Sequence, residues 1–265
     1  MPAALAVFAH PDDIEFRAAG TLLLLREAGW EIHYWNLSSG NLGSTVMNAR
    51  RTASVRRRES QEAAALLGAT WHPPFANDLQ LFYTDANLRR VCAVVRRIQP
   101  SIVLTHPPLD YMEDHTISCR LTVTGTFARG IPNYRSNPDR KPTLKPVVLY
   151  HSAPHGLKGP LGEPYVPGCF VDTGAFHAEK RAALLCHRSQ KEWLDASQGM
   201  DSYLVALDED ARTLGRASGK FKAAETWTRH LHLGFGGMDE DPMRDVLKSR
   251  YIGNRSGRAV NPVTG

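Results

Sequence analysis

The sequence lacks the segments that would place the protein in a membrane or on a secretory route. No stretch approaches the roughly 20 consecutive apolar residues that span a bilayer. The longest early apolar run, GTLLLLREAGW, is interrupted by Arg26 and Glu27. The N-terminus has no basic segment followed by an apolar one, which a signal peptide requires. We therefore expect a cytoplasmic protein with no membrane partner.

Cysteine is scarce, and its few positions lie far apart in the chain: Cys92, Cys119, Cys169 and Cys186. No CxxC pair occurs, so the sequence gives no support for a cysteine zinc site or a redox motif. In a cytoplasmic chain we expect free thiols, some of them packed inside the protein.

A strong charge of one sign is also absent, since the formal net charge is only +5. The densest basic segment, NARRTASVRRRES, is typical of a solvated helix face. It lacks the interleaved aromatic residues of RNA-binding surfaces. We therefore expect no nucleic-acid partner.

Apolar strands alternate with helical patterns over most of the chain. Strands are predicted over 4–10, 31–39, 101–106, 147–152 and 169–174. Helices are predicted over 15–29, 53–68, 85–99, 114–130 and from 178 onward, with Asp85 as an N-cap. This alternation predicts an α/β fold, a Rossmann-like open and mostly parallel sheet with helices on both faces.

The sequence shows no internal repeat and no convincing domain boundary. We expect a single domain over 1–253 and a flexible tail over 254–265, because the tail has little to bury. Two segments rich in proline and glycine, 131–146 and 154–168, are predicted surface loops. They are candidates for a subunit contact in a homo-oligomer.

Two predicted strands end in polar residues that a buried strand does not need. The first strand is followed by His10, Pro11, Asp12 and Asp13. The strand SIVL is followed by the segment THPPLDYMEDH, which runs from Thr105 to His115. In open parallel sheets, functional groups gather beyond the carboxyl ends of the strands. His10 and Asp13 are three residues apart, so both face one point if the chain turns into a helix at Pro11. His115 would supply a third ligand from the neighbouring strand end.

Two imidazoles and one carboxylate leave a coordination position for water, as catalytic zinc requires. Zinc lowers the pKa of bound water to about 7. Asp12 would lie beside that water, where a general base is needed. Taken alone, HPDD is equally consistent with a helix cap, because Asp12 and Asp13 suit the positive end of a helix dipole. Its pairing with the second strand end favours the metal site.

With both motifs considered, the chain resembles the PIG-L/LmbE-like family of zinc-dependent N-acetylglucosamine-type deacetylases. The resemblance rests on AHPDD and HPPLDYMEDH, and SSGNLGS, VRRRESQEAAALLGA, FVDTG and EKRAALLCHRSQ extend it across residues 3–190. It implies that His10, Asp13 and His115 bind Zn²⁺ and that Asp12 is the general base. Another divalent metal such as Fe²⁺ is the alternative to zinc.

The resemblance implies further roles for charged residues. Asp114 precedes the ligand histidine as in the family, and is a catalytic candidate that would orient groups around the metal. Arg56 lies near the position of a substrate-contacting arginine of the family, although three consecutive arginines leave the register open. Asp13 would also contact the substrate. Asp172 and Lys180 match family residues, with a loop cap and a solvated helix residue as the respective alternatives.

One position departs from the family pattern. The family commonly reads His-Pro-Asp-His where this chain reads Met-Glu-Asp-His, so Met112 replaces a histidine. The resemblance implies that this histidine stabilises the tetrahedral intermediate or protonates the amine, and methionine can do neither. Tyr111 and His155 are the catalytic candidates for its role, and His106 and His151 are further candidates.

The sequence thus predicts a zinc-dependent hydrolase that removes an acetyl group from a small-molecule N-acetylated amino sugar or its conjugate. A hydrolase of another amide or of an ester is one alternative, which Met112 motivates. A non-catalytic sugar-binding relative is another. Trp193 and Tyr203 are candidates to stack on a sugar face, with packing in the core as the alternative.

Overall fold

The computed structural model describes residues 1–191, 202–254 and 256–260. Strands within these residues form one sheet: β1 Ala3–Phe8, β2 Glu31–Asn36, β3 Thr70–His72, β4 Ile102–Thr105, β5 Val148–Ser152, β6 Cys169–Asp172, β7 Ala224–Arg229 and β8 Tyr251–Gly253. Their order is β3-β2-β1-β4-β5-β7-β6-β8. The first five strands pair in parallel, and the remaining pairings are antiparallel. The predicted mostly parallel, Rossmann-like sheet is confirmed.

Helices pack around this sheet. They are α1 Asp13–Arg17, α2 Ala19–Glu27, α3 Ala49–Leu66, α4 Asp85–Ile98, α5 Glu113–Phe127, α6 His177–Leu185, α7 Ser202–Ala217 and α8 Pro242–Leu247. Among the described helices, none combines the length and apolar character needed to cross a bilayer. The four cysteines are free, as predicted, and three of them are buried.

Strand β1 shows why the sheet needs a helical layer on each face. All of its residues are buried. Ala4, Ala6 and Phe8 belong to the core that includes the leucines of α2, whereas Leu5 and Val7 belong to the core built with α4 and α5. Because successive side chains of a strand point to opposite faces, an uninterrupted apolar run marks a strand that is covered on both sides.

The strand order creates a crevice beside β1. The chain builds from β1 outward through β2 and β3, and then returns to place β4 and β5 on the other side. Ligands in such sheets bind beyond the carboxyl ends of the strands, where the strand order reverses. His10 follows β1 and His106 follows β4, so both lie at this point.

Some local details differ from the sequence prediction. The helix predicted over 15–29 is two helices, because Ala18 has φ −132° and ψ −18° and breaks the helical path. Thr84 rather than Asp85 caps α4, since its side chain accepts the N–H of Asn87. Asp85 is instead the first helical residue, where its charge suits the helix dipole.

The described part of the C-terminal segment packs against the second loop rich in proline and glycine. The side-chain amide of Asn254 donates to the Pro167 carbonyl at 2.9 Å. The N–H of Val260 donates to the Tyr165 carbonyl at 2.8 Å, and Val260 is buried. The remainder of the predicted tail, residues 255 and 261–265, lies outside the described residues.

A buried ion pair ties α1, α2, α6 and β7 together. The Lys180 ammonium donates to Glu225 Oε1 at 2.7 Å and to the Phe16 carbonyl at 2.9 Å. Glu225 also accepts the N–H groups of Gly20 and Thr21, each at 2.8 Å, at the N-terminus of α2. Each side chain of the pair is 3% exposed. The alternative interpretation of Lys180 as a solvated helix residue is therefore wrong.

Replacing Glu225 with glutamine should destabilise the protein strongly. The Glu225→Gln change leaves the buried Lys180 ammonium without its counter-charge, which typically costs about 3–5 kcal/mol. The control is Glu62→Gln, because the Glu62–Arg188 pair is exposed and should contribute less than about 1 kcal/mol. Urea unfolding of both variants measures the difference. Equal unfolding free energies for the two variants would contradict the assignment.

Candidate metal centre

Three side chains from two neighbouring strand ends converge on one point. His10, Asp13 and His115 each offer one ligand atom, and these atoms lie within 4.8 Å of one another. His10 follows β1, Asp13 begins α1, and His115 lies in the first turn of α5. The structure therefore brings together the three residues that the sequence singled out as ligands.

The turn that directs these side chains is made by Asp12. Its φ of 111° and ψ of −28° lie in the left-handed region, which costs a non-glycine residue about 1–3 kcal/mol. The helix begins after Asp12, so the turn predicted at Pro11 falls one residue later. The His10 carbonyl accepts the N–H of Asp13 at 3.2 Å and the amide of Asn36 at 2.6 Å. Backbone strain of this kind is found mainly at functional sites.

Each histidine of the centre is oriented by a carboxylate behind it. His10 Nε2 lies 3.1 Å from Asp114 Oδ2, and His115 Nδ1 lies 2.9 Å from Asp110 Oδ1. These contacts leave His10 Nδ1 and His115 Nε2 free, at 3.5 and 3.4 Å from the oxygens of Asp13. A carboxylate that accepts the second ring N–H fixes the tautomer and makes the other nitrogen a better ligand. The donor set therefore fits zinc or a related divalent ion.

Asp110 belongs to this centre, although the sequence pattern did not single it out. It accepts the ring proton of His115 and the backbone N–H of Met112, the latter at 3.1 Å. The available signal was its position five residues before His115 in the same turn. Asp114 behaves as an orienting group through His10, and it also accepts the N–H of Leu79 at 2.8 Å.

The centre favours positive charge. Burial favours the neutral acid of Asp13, but His115 and His106 outweigh burial and hold its pKa well below the usual value. Burial likewise opposes a charged His10, but hydrogen bonds to Asp114 and Asp13 raise its pKa to about 10. The raised pKa of His10 reflects the buried negative charge of the carboxylates around it, which a divalent cation can neutralise.

Asp12 lies beside the three donors and is held through one oxygen. Arg56 Nη2 donates to Asp12 Oδ2 at 3.2 Å, and the Tyr203 hydroxyl donates to the same oxygen at 2.9 Å. Asp12 Oδ1 has no hydrogen bond to any other described residue. Burial raises the pKa of Asp12, and the Arg56 charge opposes that rise.

The glycine loop after β2 makes room for Arg56. The Arg56 side chain is buried, and its Nη1 donates to the Gly40 carbonyl at 3.3 Å. A Cβ at Gly40 or Gly43 would lie 2.7 Å from Arg56 atoms, and Gly40 has φ +71°. Asp78 holds the loop by accepting the N–H of Gly40 at 2.8 Å. The loop thus positions Arg56 against Asp12, and a substrate contact by Arg56 stays a prediction.

A pocket of about 500 Å³ opens over the centre. All the site residues predicted from the sequence line it: His10, Asp12, Asp13, Arg56, Tyr111, Asp114, His115 and His155. Its mouth carries the apolar side chains of Leu42, Leu79 and Tyr111, which are 51%, 64% and 60% exposed. Leu79 has φ +59°, an unusual conformation for a bulky residue.

The other histidines considered from the sequence have different surroundings. His106 also lines the pocket, and its ring stacks on His115 with 4.0 Å between centroids. His151 is buried away from the pocket lining, and its Nδ1 donates to the His106 carbonyl at 2.8 Å. His151 therefore does not replace the histidine that is lost at Met112.

The remaining candidates separate into structural and pocket residues. Asp172 accepts the N–H of Gly174 at 3.0 Å, which confirms the alternative of a loop cap. Tyr203 lines the pocket and packs on Phe16, with 5.2 Å between ring centroids. Trp193 lies outside the described residues.

Comparison with known proteins identifies the family. A family profile described as "PIG-L: GlcNAc-PI de-N-acetylase" matches residues 5–125. The 4-oxalmesaconate hydratase of Pseudomonas putida is 30% identical over 196 residues, which cover 71% of this chain and 74% of that protein. The chain belongs to the PIG-L/LmbE-like family.

Both deacetylases and hydratases occur among the relatives of this PIG-L/LmbE-like protein. Diacetylchitobiose deacetylase of Thermococcus kodakarensis is 27% identical over 194 residues, covering 70% of this chain and 69% of that protein. The crystal structure of 4-carboxy-2-hydroxymuconate hydratase from Pseudomonas putida matches with a TM-score of 0.71 and 25% identity, covering 91% and 99% of the two chains. These relatives support an enzyme with deacetylase-type hydrolytic chemistry.

Removing the charge of Asp110 should weaken metal binding. The Asp110→Asn change leaves His115 without its anionic partner, and such changes typically lower metal affinity by about 10–100-fold. Chelator competition with Zn²⁺ measures the affinity. Asp172→Asn is the matched control, since this loop cap lies outside the pocket lining. Unchanged affinity in Asp110→Asn would show that Asp110 does not support a ligand.

Proposed function

We propose that the protein is a zinc-dependent N-deacetylase that removes an acetyl group from an N-acetylated amino sugar or its conjugate. The observation that carries this proposal is the free Oδ1 atom of Asp12, beside three convergent donors in one pocket. The relationship to a diacetylchitobiose deacetylase supports the substrate class.

His10, Asp13 and His115 would hold the ion. When bound there, zinc supplies Lewis acidity and lowers the pKa of water at the site to about 7. Asp110 and Asp114 keep the two imidazoles in the tautomers that present Nε2 of His115 and Nδ1 of His10. Reconstitution with Zn²⁺ and Fe²⁺ separately would identify the active metal.

Asp12 is the proposed general base. Arg56 and Tyr203 occupy its Oδ2 atom, so Oδ1 is left to take a proton from the attacking water. The same oxygen then returns that proton to the leaving amine. Burial raises the pKa of Asp12, which strengthens a carboxylate as a base.

The pocket mouth favours a conjugate over a free sugar. Leu42, Leu79 and Tyr111 line the pocket and are exposed there. An exposed leucine at a left-handed position brings no folding advantage, since glycine or asparagine adopts that conformation with less strain. The N–H of Leu79 is held by Asp114, so the apolar side chain is presented beside the metal centre. An apolar group next to the scissile amide would bury these side chains.

A hydratase is the second candidate, favoured by the 30% identity to the hydratase of Pseudomonas putida. Asp12 would then take a proton from water as the hydroxyl adds to one carbon of a carbon–carbon double bond, and would pass that proton to the other carbon. Arg17 and Arg56 line the pocket and would face the carboxylates of such a substrate.

Loss of the Asp12 carboxylate should abolish most turnover. Zinc-loaded protein is offered N-acetylglucosamine conjugates, other acetamides and esters, and unsaturated carboxylates, and released acetate or lost ultraviolet absorbance is measured. We expect acetate from the conjugates and a decrease in kcat of about 10²–10⁴-fold in Asp12→Asn. The control is Asp139→Asn, at an exposed position outside the pocket lining.

Each other outcome points to a different function. Consumption of the unsaturated acids without acetate release would assign a hydratase. Preferred turnover of an ester or another amide would identify a different hydrolase. Sugar binding without turnover would indicate a non-catalytic relative, and full activity of Asp12→Asn would remove the proposed base.

A further inference from the structure

Arg17 is a charged residue of the pocket wall that the proposed deacetylase mechanism does not use. It ends α1, four residues after Asp13, so helical spacing places both side chains on one face. Its side chain is only 7% exposed, and its Nη1 donates to Asp210 Oδ2 at 2.8 Å. Its Nη2 lies 3.0 Å from Nδ1 of His155.

The Arg17 contact determines the tautomer of His155. A guanidinium has only donors and stays protonated in proteins, so Nδ1 of His155 must be the acceptor and carries no proton. The neutral ring then holds its proton on Nε2. No other described residue is hydrogen-bonded to Nε2, and His155 lines the pocket. The donor is therefore available to a bound substrate.

We infer that Arg17 is a positioning residue that keeps His155 as the neutral Nε2–H tautomer, so that His155 donates a hydrogen bond to the oxygen of the substrate carbonyl. This inference rests on the proposed function. It fills the role left open by Met112 with a neutral donor, and it excludes His155 as the acid that protonates the amine.

The charges around His155 agree with this assignment. His155 is an exposed residue of the pocket wall. Partial desolvation and the charges of Arg17 and His115 lower its pKa, and Asp210 and Asp13 oppose that change. Phe16 packs edge-on against the ring, with 5.7 Å between centroids, and Tyr111 flanks it at 5.9 Å. Asp210 balances the guanidinium charge and holds it in place.

The proton balance of the reaction is complete without His155. The water gives one proton to Asp12, and Asp12 passes it to the amine as the carbon–nitrogen bond breaks. His155 keeps its proton throughout and only polarises the carbonyl oxygen. A neutral histidine performs the same task in triosephosphate isomerase, where the uncharged imidazole polarises the substrate carbonyl.

Substitution of His155 separates a donor from an acid. His155→Gln retains an N–H donor but cannot transfer a proton, whereas His155→Phe retains neither property. We expect His155→Phe to lose about 10²–10³-fold in kcat, with KM little changed, and His155→Gln to recover much of that loss. Equal loss in the two variants would overturn the donor role.

Nitrogen-15 NMR of the histidine rings tests the tautomer without any need for turnover. In the full-length protein, the His155 signals should show an unprotonated Nδ1 and a protonated Nε2 from mildly acidic to alkaline pH. Arg17→Met should give mixed tautomers and a ring that titrates near its ordinary pKa of about 6.5. Asp210→Asn retains the guanidinium but loses the carboxylate that orients it. This variant guards against misfolding of Arg17→Met, and it should give partly mixed tautomers without raising the pKa of the ring, because the Asp210 charge itself raises that pKa.

The matched control is Arg212→Met, at an exposed position of α7 outside the pocket lining, which should leave the His155 signals unchanged. A protonated Nδ1 or a cationic ring at neutral pH in the wild-type protein would overturn the role of Arg17. Failure of the wild-type protein to release acetate would defeat the proposed function and the carbonyl contact, while the NMR signals would still decide the tautomer.

Discussion

The site depends on one constraint, a cluster of buried carboxylates just beyond the C-terminal ends of β1 and β4. Asp13, Asp110 and Asp114 are largely removed from water, and an ionised carboxylate in such a place must be matched by hydrogen bonds or by positive charge. His10 and His115 provide these hydrogen bonds, because His10 pairs with Asp114 and His115 pairs with Asp110. The strained turn at Asp12 and the first turn of α5 are the local structures that bring the pairs together.

Strands β1, β2, β4 and β5 and the three candidate ligands could be predicted because they leave local signals, whereas the three-residue strand β3 was not predicted. An apolar run that ends in histidine and aspartate is visible without any knowledge of the fold. In the antiparallel half, β6 falls within the strand predicted over 169–174, but β7 and β8 leave no such signal. Strand β7, AETWTR, mixes polar and apolar residues, and its place between β5 and β6 depends on pairing with distant segments. The partner of Lys180 lies in that strand, so the burial of Lys180 could not be predicted either.

The residues of the site also divide into those with a local sequence signal and those without one. Asp110 lies in the same turn as His115, so its orienting role was open to inference from spacing. Tyr203 reaches Asp12 across 191 positions of sequence, and Arg17 reaches His155 across 138. Such contacts follow from how α7 and the loop after β5 pack against α1. No motif within one segment encodes them.

Helix α1 is only one and a half turns long, yet it carries much of the site. Asp13 begins it, Arg17 ends it, and Lys180 holds the carbonyl of Phe16 within it. The ion pair of Lys180 and Glu225 connects this helix to β7 in the antiparallel part of the sheet. The candidate metal ligand Asp13 and the residue proposed to position His155, Arg17, are therefore held by the same short helix. Lys180 and Glu225, which hold this helix in place, lie outside the lining of the pocket over the metal centre.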